Sequence, residues 1–467
     1  MIARSVLVLL AALLLAACGG QAPTAGPGAA TPVAAVQPTA FPGATALPAS
    51  TDAPTAPTSA PAPAQPTTAP TGAPEQPTAV AEPSGGGVPS AGASGGEILF
   101  LRGGALTAVD LQTKRERRIA EGVSDFAPAP DGAQIALVRN ADARAELWTV
   151  RRDGNGLTRL TDNGRVEGSL SWSPDSAALV FASAEAAAPP GQDWIGWSRW
   201  CAGSEVHLLE LAGGAETTLA PGCDPAFSPD GRRIAYAAPP SVPEPGFGED
   251  GPLTTNSIRL INRQGQNGWD FARAEGPAAA APGTGRVVYG PVWSPDGGRL
   301  LFQRFLGYQV LVDINQSELA GSFDGKVQPL LSGAGWLPAA RFTPDGRSVA
   351  IVERNIGDAR GLTGYDIWSV TVLRLEGSRE VALPNGPVTM QGTEVETLVR
   401  GQMAAWSPDG ARMVVQLPPG WRADLPRDEP VDADSQPGEL WLWHPGTPPS
   451  EQIAAQVDFA SPIAWLK

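Results

Sequence analysis

One pattern recurs six times along the chain and leaves little choice of fold. It reads PAPDGAQIALV from Pro128, WSPDSAALVFA from Trp172, FSPDGRRIAYA from Phe227, WSPDGGRLLFQ from Trp293, FTPDGRSVAIV from Phe342 and WSPDGARMVVQ from Trp406. Each copy is an apolar strand, a tight turn and a second apolar strand. Pro presets φ for the first corner, Asp and Ser bond the turn backbone, and Gly accepts positive φ. The recurring aspartates are therefore turn chemistry and not a catalytic set.

A third apolar strand follows each hairpin: ELWTVRRDG from Glu146, EVHLLELAGG from Glu205, SIRLINRQG from Ser257, YQVLVDI from Tyr308, YDIWSVTVLRLEG from Tyr365 and GELWLWHPG from Gly438. A weaker fourth strand is clearest in TRLT from Thr158 and QPLL from Gln328. Four antiparallel strands per repeat, spaced by roughly 45 to 65 residues, are what a β-propeller blade requires. The ends complete the count. Glu97 to Ile119 matches the second, third and fourth strands of a repeat, and Ser461 to Trp465 matches the missing first strand. One terminal strand joining three from the other end is how propellers remove free sheet edges. The expectation is an all-β, seven-bladed propeller closed by its terminal strand, with a six-bladed ring as the alternative. The hairpins resemble the WD-like repeats of the TolB carboxy-terminal propeller and of prolyl-oligopeptidase-type propellers. That resemblance covers nearly all of 97–467.

What precedes the repeats is not fold. Met1 to Ala17 carries Arg4 and then an apolar run too short to span a bilayer comfortably, and reads as a signal peptide. Its end, Leu15-Ala16-Ala17-Cys18, resembles the lipobox of bacterial lipoproteins, which implies acylation of Cys18 and attachment to membrane lipid. Residues 18–96 then form a Pro-, Ala- and Thr-rich tether with too little apolar content to order itself, able to extend on the order of 200 Å. The propeller is assigned to 97–467.

By strand order, the turns between strands one and two and between three and four share one face of the ring. The connections between strands two and three, and from one blade to the next, share the other. The first set is short. The second holds the long insertions, at Ala184 to Ser204, Pro239 to Asn256, Arg354 to Gly364 and Pro418 to Pro437 between strands two and three, with Ala274 to Gly290 and Pro384 to Gln402 between blades. Loops gathered on one side of a rigid ring are a common place for function. The first of them carries Trp194, Trp197 and Trp200 beside Arg199, and the last strand-two-to-three loop carries Trp421 and Arg422. Aromatic residues with Arg suit protein hot spots and sugar stacking; Trp at a spacing of three equally suits a plug over the channel. Asp424, Asp428, Asp432 and Asp434 make the latter loop acidic, without the ligand spacing of a calcium loop. Cys201 and Cys223, placed at the starts of strands on the loop-bearing face, are expected to form a disulfide, since Cys18 is taken by lipid and the chain is exported.

Function is bounded more by exclusion. A formal net charge of −15 argues against a nucleic-acid surface, and two histidines leave little room for a His-based metal or acid/base centre. No G-x-S-x-G elbow occurs, so the hydrolase partner of the prolyl-oligopeptidase propellers is missing. TolB's amino-terminal domain is replaced by the tether, so its envelope role does not transfer. The expectation is a lipoprotein that binds an envelope protein or a glycan, without cofactor or metal. A carboxylate-based polysaccharide enzyme on the same scaffold is the alternative.

Overall fold

A computed structural model describes residues 96–467, apart from 142–143, 186–193, 241–255, 275–285, 310–313, 324–325, 357–365, 384–385 and 423–435. The signal peptide, Cys18, the tether, the four aspartates of the acidic loop and the side chain of Trp194 lie outside the described residues.

The first strands are β1 (Glu97–Arg102), β2 (Ala105–Asp110) and β3 (Glu116–Glu121). Next come β4 (Val123–Pro128), β5 (Gln134–Ala141), β6 (Arg144–Arg151) and the two-residue β7 (Thr158–Arg159), then β8 (Val166–Trp172), β9 (Ala178–Ala184), helix α1 (Trp194–Ala202), β10 (Ser204–Glu210) and β11 (Ala215–Pro221). They are followed by β12 (Cys223–Phe227), β13 (Arg233–Ala237), β14 (Ser257–Asn262) and β15 (Trp269–Arg273), and by β16 (Val287–Trp293), β17 (Leu300–Gln309), β18 (Ile314–Phe323) and β19 (Lys326–Ala334). The chain continues through β20 (Trp336–Phe342), β21 (Ser348–Ile356), β22 (Asp366–Leu383) and β23 (Gly386–Val399), and ends with β24 (Met403–Trp406), β25 (Met413–Leu417), β26 (Gly438–Trp443), β27 (Glu451–Val457) and β28 (Ala464–Leu466).

These pair as antiparallel four-stranded units in chain order, and β28 supplies the first strand of the unit that β1 to β3 complete. Two units, β4 to β7 and β8 to β11, merge into one eight-stranded sheet through a single parallel pair, Ala145 with Val166. The described strands thus form seven four-stranded units. Their first strands neighbour one another in the order β28, β4, β8, β12, β16, β20, β24 and back to β28.

Sandwiching between neighbouring sheets explains why the strands are apolar on both faces. Along β1, Ile98 and Phe100 pack with Val414, Leu440 and Ile453 of the last unit, while Leu99 and Leu101 pack with Ile135 and Leu137 of β5. Successive side chains point to opposite faces, so one strand feeds two cores. The hairpin turns use the expected chemistry. The hydroxyls of Ser173, Ser228, Ser294, Thr343 and Ser407 donate to the aspartate two residues on at 2.5 to 2.6 Å. Where a first strand ends in Trp, its indole stitches two units together: Trp172, Trp293 and Trp406 donate Nε1–H to the carbonyls of Ala127, Ala226 and Arg341 on the preceding first strand, at 2.8, 3.2 and 3.0 Å.

Three expectations need correcting. Pro384 to Gln402 is not a loop between blades. Most of it is β23, an alternating strand that pairs along β22 as the fourth strand of its unit. Tyr308 does not open a third strand: β17 continues to Gln309, and the third strand is β18, whose polar INQSEL start hides it from an apolar pattern search. Cys201 sits in α1, not at the start of a strand.

Candidate functional site

The first strands enclose a central channel, a cavity of about 740 Å3 to which all seven contribute residues. What enters it is set by a break repeated in the strands. The register between first and second strands shifts between Val123 and Asp125, Gly168 and Ser171, Cys223 and Ala226, Tyr289 and Val292, and Trp336 and Ala339. Such bulges re-aim backbone and side chains. Ser169, Asp224 and Gly290, each four residues before the turn Ser, have φ of 55°, 49° and 55°. At Gly290 a Cβ would lie 2.9 Å from Gln303 Nε2, so a side chain there would require that amide to move.

Asp224 is the best-connected polar group in the channel. Its Oδ2 accepts from Trp197 Nε1 at 2.8 Å and from the Gly290 amide at 3.1 Å, and its Oδ1 accepts from Ser169 Oγ at 3.1 Å. Burial raises its pKa against the pull of these bonds. Tyr289 and Trp336 stack at 3.9 Å with Trp197 tilted against both, and Tyr289 Oη accepts from the Leu337 amide at 3.2 Å. Burial pushes the Tyr289 phenol well up. Asp125 of β4 and Arg341 of β20 line the same cavity. Burial lifts the Asp125 carboxyl to about 6, opposed by the Phe126 amide and the Arg341 charge.

The Trp-rich insertion is a helix because its bulky residues recur at the helical spacing and bury one face. Trp197 and Trp200 are 3% and 2% exposed, Cys201 is fully buried, and Arg199 points to solvent. The helix ends at Gly203, whose amide bonds to the carbonyls of Arg199 and Trp200. A disulfide joins Cys201 to Cys223, with Cα atoms 5.0 Å apart, and Asp224 follows immediately. Two adjacent residues of β12 therefore hold α1, one covalently and one through the Trp197 indole. Of the two buried tryptophans expected to contact a ligand, Trp197 lines the channel, whereas Trp200 does not. Both indoles are packed inward, and α1 is thereby docked on the ring rather than held out in solvent.

Trp421 packs against Trp441, ring centroids 6.2 Å apart, and Arg422 is exposed. By topology they share the face of α1, but they lie three units away around the ring, so the two Trp-Arg pairs do not form one patch. The acidic pair with shared hydrogen-bond partners, Glu146 and Glu167, is 1% exposed on each side. Both accept contacts from the Thr161 hydroxyl, at 3.0 and 2.6 Å, where β6 meets β8. Burial raises Glu167 to about 7. Sealed in this way, the pair presents no cleft to a polysaccharide.

Sequence reasoning named none of Asp125, Ser169, Asp224 or Arg341. The available signal was positional: four residues before the turn Ser, Thr or Ala, the first three repeats read Asp125, Ser169 and Asp224, polar where the later ones have Gly290, Ala339 and Met403; Arg341, two residues before Thr343, stands where the other repeats carry small residues.

No protein-family model matches the chain, and no curated protein matches its sequence. Among solved structures it is similar to putative TolB from Agrobacterium tumefaciens, at 18% identity over 52% of this chain and 79% of that one, TM-score 0.35. It is similar also to TolB from Acinetobacter baumannii, at 15% identity over 80% and 82%, TM-score 0.36. Oligogalacturonate lyase from Vibrio parahaemolyticus shares 12% identity over 67% and 80%, TM-score 0.44. These likenesses concern the fold alone. The hairpin repeats, the strand order and the ring of first strands make this chain a β-propeller.

Proposed function

We propose that this chain is an extracytoplasmic lipoprotein, attached to membrane lipid through Cys18, whose propeller is a binding scaffold for an envelope protein or a glycan. The observation that carries the binding role is the channel, a cavity of about 740 Å3 with rigid strand walls that present charged and aromatic groups together. Capture from the native envelope, with bound material split into protein and glycan fractions, tests it. Ala226→Phe, which puts a ring into the channel beside Arg341 and Ser171, should abolish capture while the melting curve stays cooperative. Capture unchanged by that substitution would place binding elsewhere. The anchor is tested separately: wild type should enter the detergent phase and Cys18→Ala the aqueous phase. Among the described residues no helix is long and apolar enough to cross a membrane.

The enzyme reading is supported by one observation, that Asp125 and Asp224 line the same cavity and that burial raises both, Asp125 to about 6, toward the range of a general acid. Release of reducing ends from acidic and neutral polysaccharides, lost in Asp125→Asn, would support it; no release from any of them would sink it.

A further inference from the structure

Among its lining residues the channel holds two carboxylates and one cation. Asp224 is committed to its three donors. The other two charges are not spent in this way. Among the described residues Arg341 makes one hydrogen bond, from Nη1 to the carbonyl of Ala340 at 3.3 Å, and Asp125 accepts one, from the amide of Phe126 at 2.8 Å. A guanidinium has five donors and a carboxylate about four acceptor sites, so both keep unused capacity.

Nor do they satisfy each other. Among the described residues neither has an opposite charge within 4.0 Å, yet they lie near enough for each charge to favour the other's ionised form. Two first strands, β28 and β24, separate β4 from β20 around the ring, so the pair faces across the channel. At the strand position of Arg341 the other six walls present Ala127, Ser171, Ala226, Val292, Ala405 and Ala464, which are too small to cover it, and its side chain is reached by solvent. Ser171 Oγ accepts from the Phe227 amide at 3.1 Å, which leaves its hydroxyl proton to donate into the channel.

We propose that the channel binds a small zwitterion of the amino-acid class, its carboxylate on Arg341 and Ser171 and its ammonium at Asp125; this rests on the reading of the channel as a binding site. A simple anion placed at Arg341 would face the Asp125 carboxylate, and a simple amine at Asp125 would face the guanidinium. A ligand with both ends pairs each charge and meets neither repulsion.

Titration calorimetry of the full-length chain in detergent, against the standard amino acids, tests this. At least one should bind, and its N-acetyl and C-terminal amide derivatives should bind about tenfold more weakly or worse, because each removes one charge. Arg341→Gln and Asp125→Asn should each weaken the amino acid by a similar factor. Arg341→Gln should narrow the gap between the amino acid and its amide, whereas Asp125→Asn should narrow the gap to the N-acetyl form. If one variant does not fold, the other carries the test. No binding by any amino acid, or equal binding of both derivatives, overturns the proposal. If amino acids fail but the envelope capture lost in Ala226→Phe persists in wild type, the zwitterion assignment falls and the binding scaffold stands.

Discussion

Ser176 occupies a turn position that its counterparts give to glycine. Gly132, Gly231, Gly297, Gly346 and Gly410 have φ between 68° and 70°, and Ser176 is held at 57°. A left-handed conformation costs a non-glycine residue about 1 kcal/mol. Its Oγ recovers part of that by accepting from the Asp131 amide at 3.2 Å, an exposed bond of small value. Ser176→Gly should therefore stabilise the protein by about 0.5 kcal/mol, read as a higher denaturant midpoint. The reverse change is worse. In Gly231→Ala the Cβ would make only an ordinary contact with Pro174 Cδ of the preceding turn, so the cost is that of holding alanine at φ 69°. A second residue-level prediction concerns Glu353, 7% exposed, whose carboxyl burial raises to about 7 against a bond from the Thr371 hydroxyl at 2.7 Å, with Glu394 adding repulsion. A carboxyl whose folded pKa is raised contributes stability that is full below its unfolded value near 4.5 and is lost as pH rises through about 7. Glu353→Gln should flatten the fall in melting temperature between pH 5 and 7.5 and, at the upper end, gain on the order of 1 kcal/mol over wild type. The turn aspartates act oppositely. Hydroxyl and amide bonds lower Asp175, Asp230, Asp296 and Asp345, so their contribution is present at neutral pH and disappears as pH falls through their depressed values.

Helix α1 shows how an insertion becomes part of a rigid element. Trp197, Trp200, Cys201 and Cys223 belong to one buried cluster with Tyr289 and Trp336, which spans several units of the ring. The disulfide closes a loop whose ends are 22 positions apart, worth about 3 kcal/mol in the chain-entropy model. In the double variant Cys201→Ser, Cys223→Ser, the amides of α1 should exchange with solvent much faster than those of β9 and β10, and the melting temperature should fall. Equal protection of helix and strands would mean that the Trp197 bond to Asp224 suffices to hold the helix. Unreduced, denatured wild type should show no reactive thiol from Cys201 or Cys223. The long hairpin of β22 and β23 is tied down differently. Its Arg379 reaches the neighbouring unit, donating to the Leu330 carbonyl at 2.6 Å, and Gln391 bonds Gln328.

At the scale of the whole molecule, closure decides stability. β28 pairs with β1, Glu97 opposite Leu466, and Ser461 Oγ accepts from the Leu101 amide at 2.8 Å. Arg152 donates to the Lys467 carbonyl at 2.8 Å and pairs with Glu97 at 2.7 Å, binding both ends of the domain to the next unit. Deleting Ser461 to Lys467 should expose the edge of β1 and lower the melting temperature by several degrees or cause aggregation. A superimposable melting curve would show that the closing strand is dispensable. Much of this architecture was legible beforehand. Turn chemistry is local, so six Pro-Asp turns located the hairpins, and a strand missing at one end with its match at the other announced the shared unit. Where apolar pattern failed, as in β18 and β23, pairing with a long neighbouring strand supplied the order that composition did not. The site was not legible for a related reason. Asp125, Asp224 and Arg341 lie far apart in the chain and on different units, and only ring closure brings their strand positions to one axis. The sequence by itself determined the repeats, the turns and the closing strand, because those depend on neighbours a few residues away. Which tryptophans are buried, and which charges share a cavity without pairing, was decided only by the tertiary structure, because burial and electrostatic pairing depend on what the rest of the ring places opposite.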